Sequence, residues 1–251
     1  MAVIPDPPTF DLRYVAFMDL LGFSEMVRAA EVNGSIRRTL MNIAYTLKNQ
    51  PIEGSPEADL RFNQFSDCIV ISAARSTEGL REVILACQYL ARRMLESDVL
   101  MRGGIVRGSL LHTEDAMYGL GLVEAVKLDT SGSPPRISLS KEVHQDQQLA
   151  NKELNDWIVF DDYDLNPMIH ILHGYAFPSN DFNRLITAGG NKEMAESIQR
   201  REQNTRDRVA ATIERNAFNV HSPADVRAKW RWLRTYWNRT AAGGLFFPPI
   251  R

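Results

Sequence analysis

Cysteine is scarce, with only Cys68 and Cys87 in 251 residues. Both lie in apolar runs and neither has a partner at metal-ligand spacing. This argues against a disulfide scaffold or a zinc site and suits a reducing cytoplasm. Long hydrophobic runs are absent: no window reaches the roughly 18 apolar residues of a membrane span. The opening MAVIPDPPTF is broken by prolines and lacks a cationic stretch followed by an apolar one, so no secretion signal is expected. Charge of one sign is not in excess either. A formal net charge of −2 argues against a surface built to coat nucleic acid. Internal repeats and low-complexity tracts are also lacking. What remains is an ordinary globular composition, 44% hydrophobic, able to bury a full core as one domain or as a domain with an extension.

The first informative stretch is FMDLLGFS, residues 17–24. The run from Tyr14 to Met18 is short, apolar and rich in strand formers, which predicts a buried strand ending at Asp19. Phe23 to Ala30 has helical composition and spacing, with Gly22 or Ser24 near its first turn. A carboxylate between a strand end and a helix N-terminus suits the holding of a polyphosphate and its metal. Taken alone, Asp19 reads more readily as a helix cap.

A helix continues over Ile36 to Leu47, and Gln50 to Pro56 is a loop by composition. Leu60–Phe65 and Cys68–Ala73 read as an antiparallel hairpin with Ser66-Asp67 at its turn. Glu78–Glu96 carries one broad apolar face and predicts a long helix. Met101–Leu110 is a strand whose glycines permit close backbone approach. Tyr118–Asp129 runs from loop into a short helix, Thr130–Pro135 is a turn and Arg136–Leu139 a strand. Helices interleaved with short strands predict an α+β fold, a mainly antiparallel sheet with helices packed on it.

The division expected is a catalytic domain over residues 10–164 and a helical extension over 165–251. The extension has helices at Glu193–Asn216 and Pro223–Asn238, and its tryptophans Trp230, Trp232 and Trp237 are expected to pack against the sheet domain or a second subunit.

If their strands are adjacent, Asp19 and Asp67 reach the same sheet edge, where two carboxylates make a site for hard divalent cations. Arg102, in the next strand, has the planar fork that grips phosphate. Read alone, it is equally a surface arginine. The five histidines show no zinc spacing apart from His170 and His173, and are read as surface or core residues.

From about Tyr14 to Leu139 the chain resembles the catalytic domain of the class III nucleotidyl cyclases. Asp19 to Ser24 matches that family's metal-aspartate segment. Phe65-Ser66-Asp67 matches the hairpin bearing its second aspartate, and Met101 to Ile105 matches the strand with a phosphate-binding arginine. More narrowly, FMDLLGF, FSDCIVIS, RGGIVRG, GLVEAVKLD and PRISLS resemble the Pycsar cyclases, bacterial antiphage enzymes that make cyclic pyrimidine mononucleotides.

The resemblance implies conversion of a pyrimidine nucleoside triphosphate, UTP ahead of CTP, to its 3′,5′-cyclic monophosphate. It implies two divalent cations, Mn²⁺ or Mg²⁺, held by Asp19, Asp67 and the Leu20 carbonyl. Phosphates would lie on backbone N–H groups around Gly22, Phe23 and Ser24, with Arg102 adding to them. A head-to-tail homodimer is implied, in which Lys127 stands where the transition-state arginine usually does and completes the partner's site. Arg107 is a candidate to guide phosphate or to bind a carboxylate across the dimer. The product would act on a separate cyclic-nucleotide-responsive effector; direct nucleic-acid or membrane partners are not expected. The departures matter as well: Val123 replaces the ribose-binding asparagine, while Ala116 and Asn63 stand where purine enzymes read the base. Asn63 offers both donor and acceptor to a pyrimidine edge. A purine cyclase, or a degenerate domain that only binds nucleotide or protein, stays open.

Overall fold

The structure, a computed structural model, describes residues 9–49, 54–113, 115–130, 134–176, 192–242 and 249–250. Parts of the predicted loop at Gln50–Pro56 and turn at Thr130–Pro135, and the first eight residues, lie outside this set.

The central strand β1 (Asp11–Leu20) is followed by α1 (Phe23–Ala30) and α2 (Gly34–Lys48). The hairpin comprises β2 (Arg61–Phe65) and β3 (Cys68–Ala74), and α3 (Thr77–Leu95) leads into β4 (Met101–His112). β1 does not stop at Asp19. Its pairing carries Asp19 opposite both Cys68 and Arg102, and continues to Leu20 opposite Met101. Strand neighbours on both sides satisfy its backbone groups, and that ladder outweighs the poor strand propensity of an aspartate.

Beyond β4 come β5 (Met117–Tyr118), α4 (Leu120–Thr130), β6 (Ile137–Leu139), α5 (Lys141–Ala150), a 3₁₀ turn (Lys152–Trp157), β7 (Ile158–Phe160) and β8 (Pro167–Ile169). Three helices complete the described chain: α6 (His173–Ala176), α7 (Lys192–Ala217) and α8 (Ala224–Ala242). The sheet order is β2-β3-β1-β4-β6-β8-β7, with β5 paired to β4. Every pair is antiparallel except β4 with β6. This is the α+β architecture expected.

Strand alternation assigns the two faces of the sheet. Ala16, Met18, Ile69 and Ile71 share one buried cluster with Ile84, Leu90 and Met94 of α3 and with residues of the C-terminal helices. Helix α3 contributes a stripe at helical spacing and is capped by Ser76, whose Oγ accepts from the Gly79 N–H at 3.0 Å. Trp230 and Trp237 are buried in that same cluster, and Trp232 donates its indole N–H to Asp161 at 3.0 Å. His170 is buried, with Nδ1 2.5 Å from the Tyr236 hydroxyl, and His173 stacks on Trp157 at 4.0 Å.

On the other face, Val15, Val70, Val106 and Leu110 meet Ala125 of α4. Helix α4 sits directly on β4 because two glycines leave room for it. A Cβ on Gly108 would lie 2.5 Å from the Gly121 Cα, and one on Gly104 would lie 2.8 Å from the Ala125 carbonyl oxygen. Both obstructions include backbone, which cannot rotate aside.

Gly108→Ala is therefore expected to lift α4 and lower stability by about 1–3 kcal/mol, as overpacking does, measured by urea denaturation. Gly34→Ala is the control, since its Cβ would meet nothing within 4 Å.

Candidate active site

The end of β1 is held from both sides. The Leu20 N–H donates to the Asp67 carbonyl at 3.1 Å and the Leu21 N–H to the Leu100 carbonyl at 2.9 Å. The first bond ties the hairpin tip to β1, and the tip is tight: Ser66 occupies φ +56°, a region usually left to glycine or asparagine. Asp19 and Asp67 are thereby brought together. Ligand atoms of Asp19, Asp67 and Cys68 lie within 4.8 Å of one another.

Electrostatics sort these groups by chemistry. Burial, together with the negative charges of Asp67 and Asp19, pushes the Cys68 thiol up to about 11, so it stays protonated at neutral pH. Burial raises the Asp19 carboxyl above its ordinary value, Arg102 opposes the rise, and the Asp67 charge adds to it. Two close carboxylates, one partly desolvated, fit a hard divalent cation by both donor type and uncompensated charge.

The only strong counter-charge contacting Asp19 among the described residues is Arg102. Its Nε donates to Asp19 Oδ2 at 3.3 Å, and the same Nε lies 3.5 Å from Asp129 Oδ2. Asp129 is a third acid that sequence reasoning missed. It is 5% exposed, and its Oδ1 is buried without a hydrogen-bond partner. Burial pushes its carboxyl up to about 6, against Arg102 and with help from the Asp19 charge. An acid closing the mostly apolar stretch from Leu122 to Leu128 was the signal available.

At the start of α1, Gly22 adopts φ +79° as the N-cap, and no side chain caps the helix. The first-turn N–H groups at Phe23 and Ser24 thus face an anion-accepting end. Lys127 and Val123 lie on the exposed side of α4, opposite the side where Ala125 is buried. Ala116 closes a turn whose carbonyl accepts from the Thr113 N–H at 2.8 Å. Asn63 lies on β2, on the same sheet face as Asp19 by register. Its Oδ1 is 2.9 Å from His112 Nε2. Arg107, read from sequence as a residue to guide phosphate or to bind a carboxylate across the dimer, lies on the face opposite Asp19 by register and is paired with Asp146 of its own chain at 2.7 and 2.9 Å.

Comparison with known proteins gives distant likenesses. The adenylyl cyclase CyaB from P. aeruginosa is 14% identical, with 64% of this chain and 92% of that one covered and a TM-score of 0.43. An adenylate/guanylate cyclase/hydrolase from Silicibacter pomeroyi is 17% identical, with 64% and 95% covered and a TM-score of 0.43. A class III adenylyl cyclase-like ATP-binding protein from Pseudomonas aeruginosa is 12% identical, with 57% and 37% covered and a TM-score of 0.40. No family model and no curated protein matches the chain. At such distances the site's chemistry rests on its own geometry.

Mn²⁺ added to chelator-treated protein is expected to raise the melting temperature by a few degrees, as a ligand specific to the folded state does. Asp19→Asn and Asp67→Asn should each remove that rise in a thermal melt. The metal-free protein should also lose stability as pH rises. Asp129 binds its proton more tightly folded, with a value of about 6, than unfolded at about 3.9. Its contribution is full below the unfolded value and is lost as pH rises through the folded one. Asp129→Asn should flatten that part of the pH–stability curve by about 1–3 kcal/mol, read from denaturation midpoints.

Proposed function

We propose that the protein is a nucleotidyl cyclase that converts a pyrimidine nucleoside triphosphate, UTP ahead of CTP, to its 3′,5′-cyclic monophosphate and pyrophosphate. The observation that carries this reading is the convergence of Asp19 and Asp67 beside an uncapped helix start and an arginine. Acids that can hold cations, N–H groups that can receive phosphate and a guanidinium at one edge suit metal-assisted attack on a triphosphate.

Asp19 and Asp67, with the Leu20 carbonyl, would hold two Mn²⁺ or Mg²⁺ ions. When bound, the cations neutralise phosphate charge and make the ribose 3′-hydroxyl more acidic. The N–H groups around Gly22, Phe23 and Ser24 receive the terminal phosphates. Arg102, released from Asp19, turns its fork to phosphate oxygens while Asp129 keeps hold of its stem end. The 3′-oxygen bonds to the α-phosphorus as the bond to the bridging oxygen breaks. Pyrophosphate leaves and the hydroxyl proton passes to solvent. Alignment and charge placement supply most of the rate.

The chain works as a head-to-tail homodimer in this reading. Leu120 and Val123 are 68% and 47% exposed on α4, and Lys127 lies one further turn along that same side. Phe10 and Tyr118, both exposed, meet edge to face at 5.6 Å nearby. An apolar rim around a lysine fits a second copy whose site that lysine completes. The cyclic product then signals to a separate effector, in antiphage defence. Within the described residues no helix is long and apolar enough to cross a membrane.

Purified protein incubated with each of the four triphosphates and Mn²⁺ is expected to give cyclic UMP and, more slowly, cyclic CMP by chromatography. A mixed dimer of Asp67→Ala and Lys127→Ala chains should regain one working site where either variant alone is inactive. No cyclic product from any triphosphate would overturn the reading.

A further inference from the structure

The backbone at the end of β1 is aimed from two sides. The Leu20 N–H donates to the Asp67 carbonyl at 3.1 Å, on the hairpin side, and the Leu21 N–H donates to the Leu100 carbonyl at 2.9 Å, on the β4 side. The Leu20 carbonyl and the Leu21 N–H belong to one planar trans peptide and point in opposite directions. A bond from Leu21 to Leu100 therefore turns the Leu20 carbonyl away from β4, to the side on which Asp67 lies. Where Leu100 sits decides where that carbonyl points.

Leu100 follows the turn that closes α3. The Asp98 N–H donates to the Leu95 carbonyl at 3.1 Å and the Val99 N–H to the Met94 carbonyl at 3.0 Å, the two bonds that end a helix on a left-handed residue. Glycine usually fills that place, because a side chain there is strained. Here it is Asp98, at φ +63°.

Its carboxylate is engaged from the C-terminal extension. Thr212 of α7 donates its hydroxyl to Asp98 Oδ1 at 2.9 Å, and Arg215, almost one turn further along α7, donates to Oδ2 at 3.0 Å. Thr212 is 3% exposed, which shelters its end of the bond, whereas the Arg215 pair is open to solvent and contributes little by itself. Next to it, the Tyr175 hydroxyl of α6 donates to Glu96 at 3.2 Å, and the buried Arg206 of α7 donates to the Tyr175 carbonyl at 2.8 Å. Val99 and Leu100 share the buried cluster with Val209 and Ile213 of α7.

We infer that α6 and α7 clamp the turn between α3 and β4 through Glu96 and Asp98, and thereby hold the Leu20 carbonyl in the direction in which it meets a cation. The inference rests on the proposed metal role of that carbonyl and gives the C-terminal extension a task in the same site. Asp98 and Thr212 are positioning residues. The clamped turn also sets the start of β4, two residues before Arg102.

The test reads hydrogen exchange of single backbone amides by NMR in metal-free, full-length protein, Mn²⁺ affinity by calorimetry, and turnover against Mn²⁺ concentration. Asp98→Gly keeps the left-handed turn without strain and removes the carboxylate; Thr212→Val removes one hydroxyl. Both should speed exchange of the Leu21 amide about tenfold, the scale of one lost hydrogen bond, while the Leu20 amide, held on the hairpin side, keeps its rate. Mn²⁺ should bind about tenfold more weakly, as when the partner supporting a metal ligand is lost. Turnover should recover at saturating Mn²⁺, so that the metal constant moves and kcat does not. Thr212→Ser, which keeps the hydroxyl, should restore all three. Unchanged Leu21 exchange or unchanged Mn²⁺ affinity in both variants would overturn the inference and leave the cyclase reading standing. Faster exchange spread evenly over the sheet, Leu20 included, would overturn it too, as a general loss of stability. If the protein binds Mn²⁺ yet cyclises no triphosphate, the cyclase reading falls, and amide exchange with metal affinity still decides the clamp.

Discussion

The structure depends on holding acids together at the end of β1. Asp19 and Asp67 are separated in sequence by α1, α2 and β2, yet the Leu20 N–H bond to the Asp67 carbonyl fixes the hairpin tip against the central strand. Like charges so placed repel, and partial burial strengthens the repulsion, which is why the Asp19 carboxyl is raised. Arg102 is set between Asp19 and Asp129 and offsets part of that repulsion. A cluster with more acids than cations suits a divalent ion, and its members are set rigidly on a doubly flanked strand, on the hairpin turn bonded to it and at the end of α4.

That rigidity comes from packing on both faces. The cluster behind the sheet runs from β1 through α3 to the tryptophans of α8, so the C-terminal helices share one apolar interior with the strand that carries Asp19. On the front, the glycines of β4 let α4 lie close enough for Asp129 to reach Arg102. A helix held further out by ordinary side chains would leave the third acid short of the arginine. Close seating of α4 and the charge balance of the site are therefore one constraint.

The same face carries a chain of polar groups, Arg13, Ser72, His112 and Asn63, whose inner members are buried. Four hydrogen-bonding groups from β1, β2, β3 and β4 sit where apolar residues would pack more favourably. What they provide is a defined orientation at the exposed end. A lone asparagine on a surface can turn either way, but Asn63 Oδ1 lies 2.9 Å from His112 Nε2, and burial with the nearby Arg13 and Arg61 holds that histidine below its ordinary range.

Much of this was legible in the chain alone. The apolar run before Asp19, the two-residue gap between Phe65 and Cys68, and the single broad face of Glu78–Glu96 each carry a local pattern, so the core elements and the places of Asp19 and Asp67 in them follow from short-range signals. The glycines of RGGIVRG announced a close approach without naming its partner. Other features have no local signature. The strands at Ile158–Phe160 and Pro167–Ile169 are three residues each, too short to show a period, and exist because β6 offers an edge. Asp129 and His112 lie far in sequence from the acids and the amide they meet, and the face on which Arg107 sits, opposite Asp19, shows only once the strands are in register. Sequence determined which residues form strands and helices, since those depend on neighbours along the chain; the charge balance around Arg102 and the direction of the Asn63 amide were decided by the tertiary structure, because both arise from groups that meet only when the sheet closes.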